Sequence, residues 1–441
     1  MLYRNCRLWT NGKNPQYFED GALIERGGVI EAVGSLADLL PLVEKDEESV
    51  DLKGRLVMPG FINAHTHIYS AYARGLAPSK PTGNFFEILE NMWWALDRRL
   101  ELQDCRLNAE ATIKESLRNG VTTLFDHHSS PHCARGSLFA IAEAVRESGI
   151  RASLCYELSD RDGLAIRDEE IKENVEFIRY AKSDETDHLH ALFGMHASFT
   201  LSDESLALVR EALEENDAAV HVHVAEGIED ELACLKEHGK RVIPRLQDFG
   251  LLGPKSLLIH AIHCSPEELD IIKESGAALV HNPMSNMSNA VGASPVIEML
   301  RRGLPVGLGT DAYTHDMLVS VQVAKILQSL VLHDPTKGFS EALQLLFQGN
   351  PEICSRYFRR PLGVLEKGAY ADFISLDYRP FTPISAGNMG GHIIFGLQGA
   401  QVQDVFVDGR PLMRDRELLT LDEERIDRES TLRARKIWPT M

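Results

Sequence analysis

The sequence lacks the features of a disulfide-bonded or membrane-spanning protein. Its seven cysteines are scattered over 441 residues without a Cys-x-x-Cys pair, and their odd number favours a reducing compartment. No apolar run reaches the roughly 18 residues that a membrane span needs, and the N-terminus has no basic region followed by an apolar one. We therefore expect a cytoplasmic protein with no membrane partner.

Positive charge is also scarce. The 46 Lys and Arg residues face 65 Asp and Glu residues, which gives a formal net charge of -19. Nucleic acid would be repelled, and a small neutral or cationic substrate is easier to accommodate. A hydrophobic content of 44% is that of a globular protein, and 441 residues exceed one ordinary core. The composition therefore predicts a large domain with a second, smaller module.

Short strands and tight turns occupy both ends of the chain. The Gly27-Gly28 pair separates two alternating apolar runs, which is a hairpin signal because glycine supplies the positive φ that such turns require. A matching pattern returns near residues 371–376 and 405–412. We therefore predict one β-module built from both ends, 1–58 and 362–441.

The middle of the chain, 59–361, alternates buried-looking runs with helical patterns. Two of the helical patterns, 202–216 and 265–275, open with a serine N-cap and early acidic residues. The strand-like runs are 121–126, 152–156, 189–194, 219–224, 256–260, 277–281 and 305–311. Such α/β alternation is most economically a (β/α)8 TIM barrel, with catalytic groups at the carboxyl ends of its strands.

Two histidines stand at positions i and i+2 in the run Pro-Gly-Phe-Ile-Asn-Ala-His-Thr-His, which follows the apolar strand 55–58. A strand sends residues i and i+2 to the same face, so the imidazoles of His65 and His67 converge. Two neutral imidazoles can chelate one transition metal such as zinc. A lone His-x-His pair is weak evidence, but His, Glu and Asp residues at later strand ends strengthen it. The sequence predicts a metal-dependent hydrolase.

The strand at 220–224 carries the next candidates. His221 and His223 share a parity, and His223 lies nearer the strand end, so we predict His223 as the third metal ligand. His221 is expected to be a packed, hydrogen-bonded core histidine. Strict alternation would place Glu226 on the opposite face from His223. It can lean over the same site only where the strand has become a loop, and we assign it there as a proton shuttle.

The run Gly-Leu-Gly-Thr-Asp at 307–311 ends on a carboxylate. Gly307 and Gly309 share the face of Asp311 and are expected to leave room for a substrate and a metal-bound water. Asp311 adds one anionic charge to three imidazoles, so a divalent site stays positive enough to lower the pKa of that water. The same carboxylate can take the water's proton, which makes Asp311 both a ligand and a catalytic candidate.

Further candidates lie at other strand ends. His260 is predicted to be catalytic, either by polarising the substituent on the electrophilic carbon or by holding the attacking hydroxide. Parity lets only one of His127 and His128 face inward, and the sequence does not decide which. His196 and His281 are mouth candidates, although a structural capping role for His281 is equally compatible with its Asn-Pro context.

The segment 92–97, Met-Trp-Trp-Ala-Leu-Asp, follows a Gly- and Pro-containing loop at 75–83. Its length and position suit a lid over a barrel mouth, although such a helix is more often core. The predicted substrate contacts, Asp97, His128, His196 and His281, include no Arg or Lys that would clamp a phosphate or carboxylate. We therefore expect an uncharged or weakly basic nitrogen heterocycle as substrate.

Together these motifs resemble the amidohydrolase superfamily, in its cytosine-deaminase and chlorohydrolase-like branch, and most closely its SsnA-type aminohydrolases. The match runs through nearly the whole chain, and its motifs are specific only in combination. They are 59–67, 223–226, 260–263, 281–286 and 309–311.

The resemblance implies a composite β-sandwich beside the barrel and a metal-bound hydroxide that attacks an sp² carbon, with Glu226 delivering a proton to the leaving ammonia. Two-metal relatives carry a carboxylated Lys at the fourth strand end, where this chain has Met195-His196. One divalent metal per chain is therefore expected, zinc first and iron second. The ligands implied are His65, His67, His223 and Asp311, and the catalytic residues implied are Glu226 and His260.

The sequence leaves the substrate open. Loss of ammonia from a purine, pyrimidine or triazine, displacement of a halide from a triazine, and opening of a cyclic amide all need the same hydroxide and acid/base pair. A catalytically silent scaffold would require lost ligands, and none is lost. We predict an aminohydrolase, with ring opening or chlorohydrolysis as the alternative, in a homodimer or higher homo-oligomer.

Overall fold

The chain begins with four strands separated by turns. A computed structural model describes residues 1–441. The strands are β1 (Leu2–Trp9), β2 (Tyr17–Arg26), β3 (Val29–Ser35) and β4 (Ser49–Pro59). Gly27 and Gly28 adopt φ angles of 63° and 83° between β2 and β3, so the predicted hairpin is confirmed.

Nine parallel segments then form the barrel. They are β5 (Phe61–Thr66), β6 (Val121–Asp126), β7 (Arg151–Leu154), β8 (Leu189–Ala191), β9 (Phe193–Met195), β10 (Val220–Val224), β11 (Leu257–His260), β12 (Ala278–His281) and β13 (Val306–Leu308). β8 pairs with β7 and β9 pairs with β10, so these two segments, separated by one residue, fill one barrel position. The barrel closes where the N–H groups of Thr310 and Asp311 both donate to the His65 carbonyl at 3.0 Å. The predicted eight-position (β/α)8 barrel is confirmed.

The chain returns to the first strands at its other end. The last strands are β14 (Phe373–Asp377), β15 (Gln401–Val407), β16 (Arg410–Arg414) and β17 (Glu417–Leu418). Hydrogen bonds give one eight-stranded order, β17-β16-β15-β14-β4-β1-β2-β3, in which β4 pairs with both β1 and β14. Both ends therefore build one β-module. Its two-layer sandwich form and the division at 58/59 and 361/362 stay predictions.

Helices connect the barrel strands and cover them. The serine caps work as the sequence indicates: Ser202 and Ser265 each accept a hydrogen bond from the backbone three residues on. No helix combines the length and the apolar composition needed to cross a membrane. The helices are α1 (Leu36–Leu39), α2 (Phe85–Ile88), α3 (Trp94–Asp97), α4 (Leu102–Arg118), α5 (Ser137–Ser148), α6 (Leu164–Lys182), α7 (Asp203–Asn216), α8 (Ile228–His238), α9 (Val242–Asp248), α10 (Pro266–Ser275), α11 (Pro283–Ser288), α12 (Val296–Arg301), α13 (Met317–Val331), α14 (Phe339–Gln344), α15 (Asn350–Cys354), α16 (Met389–Phe395) and α17 (Glu423–Ile437).

The strand ends at the barrel rim carry unusual backbone. Ala225, His260, Ala261 and Asp311 have φ angles of 47°, 73°, 49° and 57°. Non-glycine residues rarely adopt this left-handed region, and such residues cluster at functional sites because the surrounding structure must hold them there. All four follow or end parallel strands of the barrel, so their side chains gather at one rim.

Candidate metal centre and active site

Nitrogen and oxygen atoms converge at this rim. Nε2 of His67 lies 3.3 Å from Nε2 of His223 and 3.4 Å from Oδ1 of Asp311. Nε2 of His65 is buried there without a hydrogen-bond partner. Three overlapping groups of potential ligand atoms each lie within 4.8 Å of one another: His65, His67 and His223; His65, His260 and Asp311; and His67, His127 and Glu157.

Hydrogen bonds on the far side of each ring fix the protonation of His67 and His223. Nδ1–H of His67 donates to the His127 carbonyl at 2.6 Å, and Nδ1–H of His223 donates to the His196 carbonyl at 2.9 Å. A carbonyl oxygen only accepts, so both Nε2 atoms are left with lone pairs. Burial lowers the pKa of both imidazoles and keeps them neutral. Two lone pairs facing each other at 3.3 Å repel unless a cation lies between them.

A chain of hydrogen bonds fixes the protonation of the third imidazole, that of His65. The Cys155 thiol donates to the Asp126 carbonyl, so its sulfur accepts from Nδ1–H of His221. Nε2 of His221 then accepts from Nδ1–H of His65 at 2.9 Å. The lone pair of His65 Nε2 is therefore aimed at the same point. Burial lowers the pKa of His65 and raises that of the Cys155 thiol, which agrees with this arrangement of protons.

The donor set fits a divalent transition metal. Three neutral imidazoles and one carboxylate are ligands typical of zinc or non-haem iron, and four protein ligands leave a position for water. The unpaired His65 Nε2 and the short separation between His67 and His223 are both explained by a shared cation.

Glu226 reaches the site through a bend in the backbone. β10 ends at Val224, and the left-handed conformation of Ala225 turns Glu226 back over the rim. Its Oε2 lies 3.4 Å from His260 Nε2, and Asn289 donates to its Oε1 at 3.2 Å. Burial raises the pKa of Glu226, which suits a group that takes up and returns a proton near neutral pH.

His260 faces the carboxylates of Glu226 and Asp311. Its Nδ1–H donates to Oδ1 of Asn286 at 2.7 Å, so Nε2 carries a lone pair. That Nε2 has no hydrogen-bond partner and lies 3.4 Å from both Glu226 Oε2 and Asp311 Oδ2. The three side chains can therefore share a proton or a bound water.

The site opens into a cavity in two parts. The inner part holds about 40 Å³ beside the metal-site residues, and the outer part about 400 Å³. Trp93, Asn289, Asp311 and Ala312 border both parts. The remaining inner lining is His67, Tyr69, Leu89, Trp94, Glu157, His196, His223 and Glu226. Aromatic residues of the predicted lid segment therefore form part of the wall, a suitable surface for a planar ring.

Of the predicted substrate contacts, His196 lines the cavity and three others do not. Asp97 is buried and pairs with Arg161, and it also accepts from the Ser129 hydroxyl at 3.0 Å. His128 shares a hydrogen bond with Ser130, and His281 with Ser294. These three side chains do not line the cavity, although one polar atom of each has no hydrogen-bond partner: Asp97 Oδ1, His128 Nδ1 and His281 Nε2. Their direct contact with substrate stays a prediction.

The structure decides the orientation of the two adjacent histidines. The ring of His127 lies 4.6 Å from that of His223, with Nδ1 3.1 Å from Oε2 of Glu157. His128 instead faces Tyr156, and the two ring centroids are 5.8 Å apart. His127 is thus the inward-facing residue of the two, a choice that the sequence left open.

Glu157 was missed by the sequence analysis. It follows β7, shares the parity of Ser153 and Cys155, and lines the inner cavity. Burial by itself would raise the pKa of Glu157, but His196 and the hydrogen bond from His127 hold it below its usual range. An acidic residue at a barrel strand end was the available signal, although no motif marks it.

The glycines before Asp311 have a different role from the one expected. A Cβ at Gly309 would lie 2.4 Å from Asn282 Oδ1 and 2.9 Å from His65 Cβ. A Cβ at Gly307 would lie 2.4 Å from Asn350 Oδ1. The space beside these residues is filled by neighbouring side chains, so the glycines permit close packing around His65. The expectation that they leave room for substrate was wrong.

Sequence comparisons identify related proteins. Residues 56–412 match the amidohydrolase family. The chain is 33% identical over 417 residues to the 5'-deoxyadenosine deaminase of Methanopyrus kandleri, covering 93% of each protein. It is 29% identical to the 5-methylthioadenosine/S-adenosylhomocysteine deaminase of Thermococcus onnurineus, covering 92% of each.

Solved structures share the fold at lower identity. An adenosine deaminase from Xanthomonas campestris with bound zinc superposes with a TM-score of 0.86 at 23% identity, covering 99% of this chain and 98% of that one. An atrazine chlorohydrolase from Arthrobacter aurescens complexed with zinc gives 0.82 at 21% identity, covering 98% and 99%. These similarities agree with the predicted superfamily branch, whereas the closer likeness to SsnA-type aminohydrolases stays a prediction.

Proposed function

The chain belongs to the amidohydrolase family of metal-dependent hydrolases, and we propose that it releases ammonia from an amino-substituted nitrogen heterocycle, with aminopurines as the first candidates. The deaminases among its relatives support this choice, since several act on adenine-containing compounds by name. The observation that carries the proposal is the convergence of lone pairs from His65, His67 and His223 beside Asp311, with a buried Glu226 next to them.

We propose that these four residues, His65, His67, His223 and Asp311, hold one divalent metal, zinc or iron. When bound there, the metal supplies Lewis-acid activation of a water molecule. His221 and the carbonyl groups of His127 and His196 orient the imidazoles from behind.

Glu226, His260 and Asp311 are the groups that transfer protons in this proposal. Asp311 accepts a proton from the attacking water, since its carboxylate is the base that lies between His67 and His260. Glu226 carries a proton to the ring nitrogen or the departing amine, and Asn289 keeps its carboxyl oriented. The water oxygen bonds to the amine-bearing carbon, the C–N bond breaks, and the products are ammonia and a ring carbonyl.

A screen for released ammonia tests this proposal. Zinc-loaded protein would be incubated with aminopurines, their nucleosides, aminopyrimidines and aminotriazines, with mass spectrometry of every product. The expected result is a mass change of amine to carbonyl with an equimolar amount of ammonia. Chloride release or a ring-opened product without ammonia would favour the alternative hydrolytic reactions, and no product from any class would contradict the proposal.

Two further properties belong to the same proposal. We expect a homodimer or higher homo-oligomer, which light scattering of the purified protein would test. A cytoplasmic location is expected from the scattered cysteines, all seven of which are free in the structure.

A further inference from the structure

Two thiols are in contact near the end of the lid segment 92–97. Sγ of Cys105, on α4, lies 3.9 Å from Sγ of Cys133, in the turn that follows β6. No other two of the seven cysteines share a hydrogen bond. A disulfide brings its sulfurs to about 2 Å, so a relative shift of about 2 Å separates this pair from a covalent link.

The Cys133 thiol supports the lid base, residues 98–100, which connects α3 to α4. Its sulfur donates a hydrogen bond to the Leu100 carbonyl at 3.1 Å. Leu100 is 2% exposed, and its carbonyl accepts no other hydrogen bond within the protein. A buried carbonyl without a donor is costly, so the position of the lid base depends on a thiol hydrogen.

The two thiols differ in their access to solvent. Cys105 is fully buried, whereas Cys133 is partly exposed. The hydrogen bond between them also lowers the pKa of the Cys133 thiol. Oxidation of a thiol begins at an accessible sulfur with thiolate character, and a neighbouring thiol then completes the disulfide. Cys133 is therefore placed to react first, and Cys105 to displace the oxygen from it.

We propose that Cys105 and Cys133 form a reversible disulfide that releases the lid base. The disulfide removes the hydrogen that Cys133 donates to Leu100 and draws the Cys133 sulfur toward α4. Asp104, next to Cys105, accepts hydrogen bonds from Nε and Nη2 of Arg433 at 2.6 Å, which anchors this end of α4 to α17. The turn that carries Cys133 therefore moves rather than the helix, and the Leu100 carbonyl loses its donor.

The oxidant is a hydroperoxide, and the chemistry balances in two steps. The Cys133 thiolate attacks one peroxide oxygen, the O–O bond breaks, and the leaving oxygen takes up a proton, which leaves a sulfenic acid on Cys133. The Cys105 sulfur then attacks the sulfenic sulfur, the S–O bond breaks, and the hydroxide leaves with the thiol proton as water. The two sulfurs together lose the electron pair that the peroxide gains. A small dithiol reverses the reaction by thiol–disulfide exchange.

Mass spectrometry tests the disulfide directly. Zinc-loaded wild-type protein would be treated with hydrogen peroxide, alkylated, digested and analysed. The expected product is a pair of peptides joined through Cys105 and Cys133, lighter by two hydrogen atoms and separated again by dithiothreitol. Cys264→Ser, which removes the other partly exposed thiol, should form the same product, whereas Cys133→Ser should not. An unreacted Cys133, or one that only gains oxygen, would overturn the proposal.

Amide hydrogen exchange tests the release of the lid base. Exchange over residues 94–100 should be faster in the oxidised wild-type protein than in the reduced protein, and dithiothreitol should reverse the change. Cys133→Ser keeps a hydroxyl that can donate to Leu100, so its exchange should match the reduced wild type with or without peroxide. Cys133→Ala lacks the donor and should exchange faster in both conditions. Equal exchange in the oxidised and reduced wild type would overturn the link to the lid.

Turnover adds a readout that rests on the proposed aminohydrolase function. Oxidation should raise KM severalfold at constant zinc content, because Trp93 and Trp94 of the lid segment line the cavity. Cys133→Ser should keep its KM after the same treatment. An unchanged KM in fully oxidised wild-type protein, or a loss of zinc, would overturn an effect through the lid. Absence of ammonia release from the reduced protein would contradict the proposed function alone, since the disulfide and the exchange are measured without turnover.

Discussion

Nε2 of His221 accepts a hydrogen bond from Nδ1–H of His65 over 2.9 Å, directly behind the proposed metal position. The sequence analysis treated His221 as a core residue, and it is buried, but its hydrogen bond also aims the His65 lone pair. We expect His221→Ala to fold and to lose about 10- to 100-fold in zinc affinity, as removal of a ligand's supporting hydrogen bond typically does.

Chelator competition would measure that affinity, with the exposed His333→Ala as a matched control. Gln at position 221 keeps an acceptor and should recover part of the loss. Unchanged zinc affinity in a folded His221→Ala protein would remove His221 from the support of the metal site.

Glu226→Gln should keep its metal and lose activity. The amide preserves the size of the side chain but cannot take up and return a proton, and acid/base groups contribute typically about 10²–10⁴-fold to rate. Turnover and zinc content would be measured together, with the exposed Glu237→Gln as control. A variant with near-wild-type kcat would exclude Glu226 from the proton transfers.

Asp97→Ala should destabilise the protein while leaving the metal content unchanged. Asp97 is fully buried against Arg161, whose guanidinium lies 5.0 Å from the Trp94 ring centroid, so removing the carboxylate takes away one of the two carboxylates that neutralise this buried charge. Breaking a buried pair costs about 3–5 kcal/mol when no partner remains, and the Asp162 carboxylate, 3.3 Å from Arg161 Nε, should reduce this cost. The melting temperature should fall, and the double variant with Arg161→Met should recover much of it. A drop in zinc content instead would place Asp97 near the metal.

Chelation should lower the melting temperature of the wild-type protein. Without a cation, the facing lone pairs of His67 and His223 are left 3.3 Å apart, and a metal that binds the native state stabilises it by mass action. Re-addition of zinc should restore the melting temperature. In His65→Ala, chelation should have a smaller effect; an equal effect would argue that the metal binds elsewhere.

Much of the site could be predicted from the sequence because apolar runs mark where the barrel strands end. His65, His67, His223 and Asp311 all follow apolar runs, and the carboxyl ends of barrel strands share one rim. The β-module could be inferred from turn signals at both ends, since glycine pairs with positive φ mark hairpins locally.

The remaining features depend on contacts between distant residues. The pairing of Asp97 with Arg161 spans 64 positions, and nothing near Asp97 in the chain signals its burial. The close approach of His65 to Gly309 likewise has no local signal. Glu157 carries no motif, and its position is defined only by His127 and His196. Periodicity predicts which face a residue occupies, but not whether a neighbour already fills that face.

We propose that one metal at His65, His67, His223 and Asp311 is required for ammonia release. The most direct test is the activity of metal-stripped protein during a titration with zinc, repeated with iron(II), on the best substrate from the screen. We expect ammonia release to rise from background and to reach its plateau at one equivalent per chain, with no recovery in His65→Ala. Full activity in the stripped protein, or a plateau at two equivalents, would contradict it.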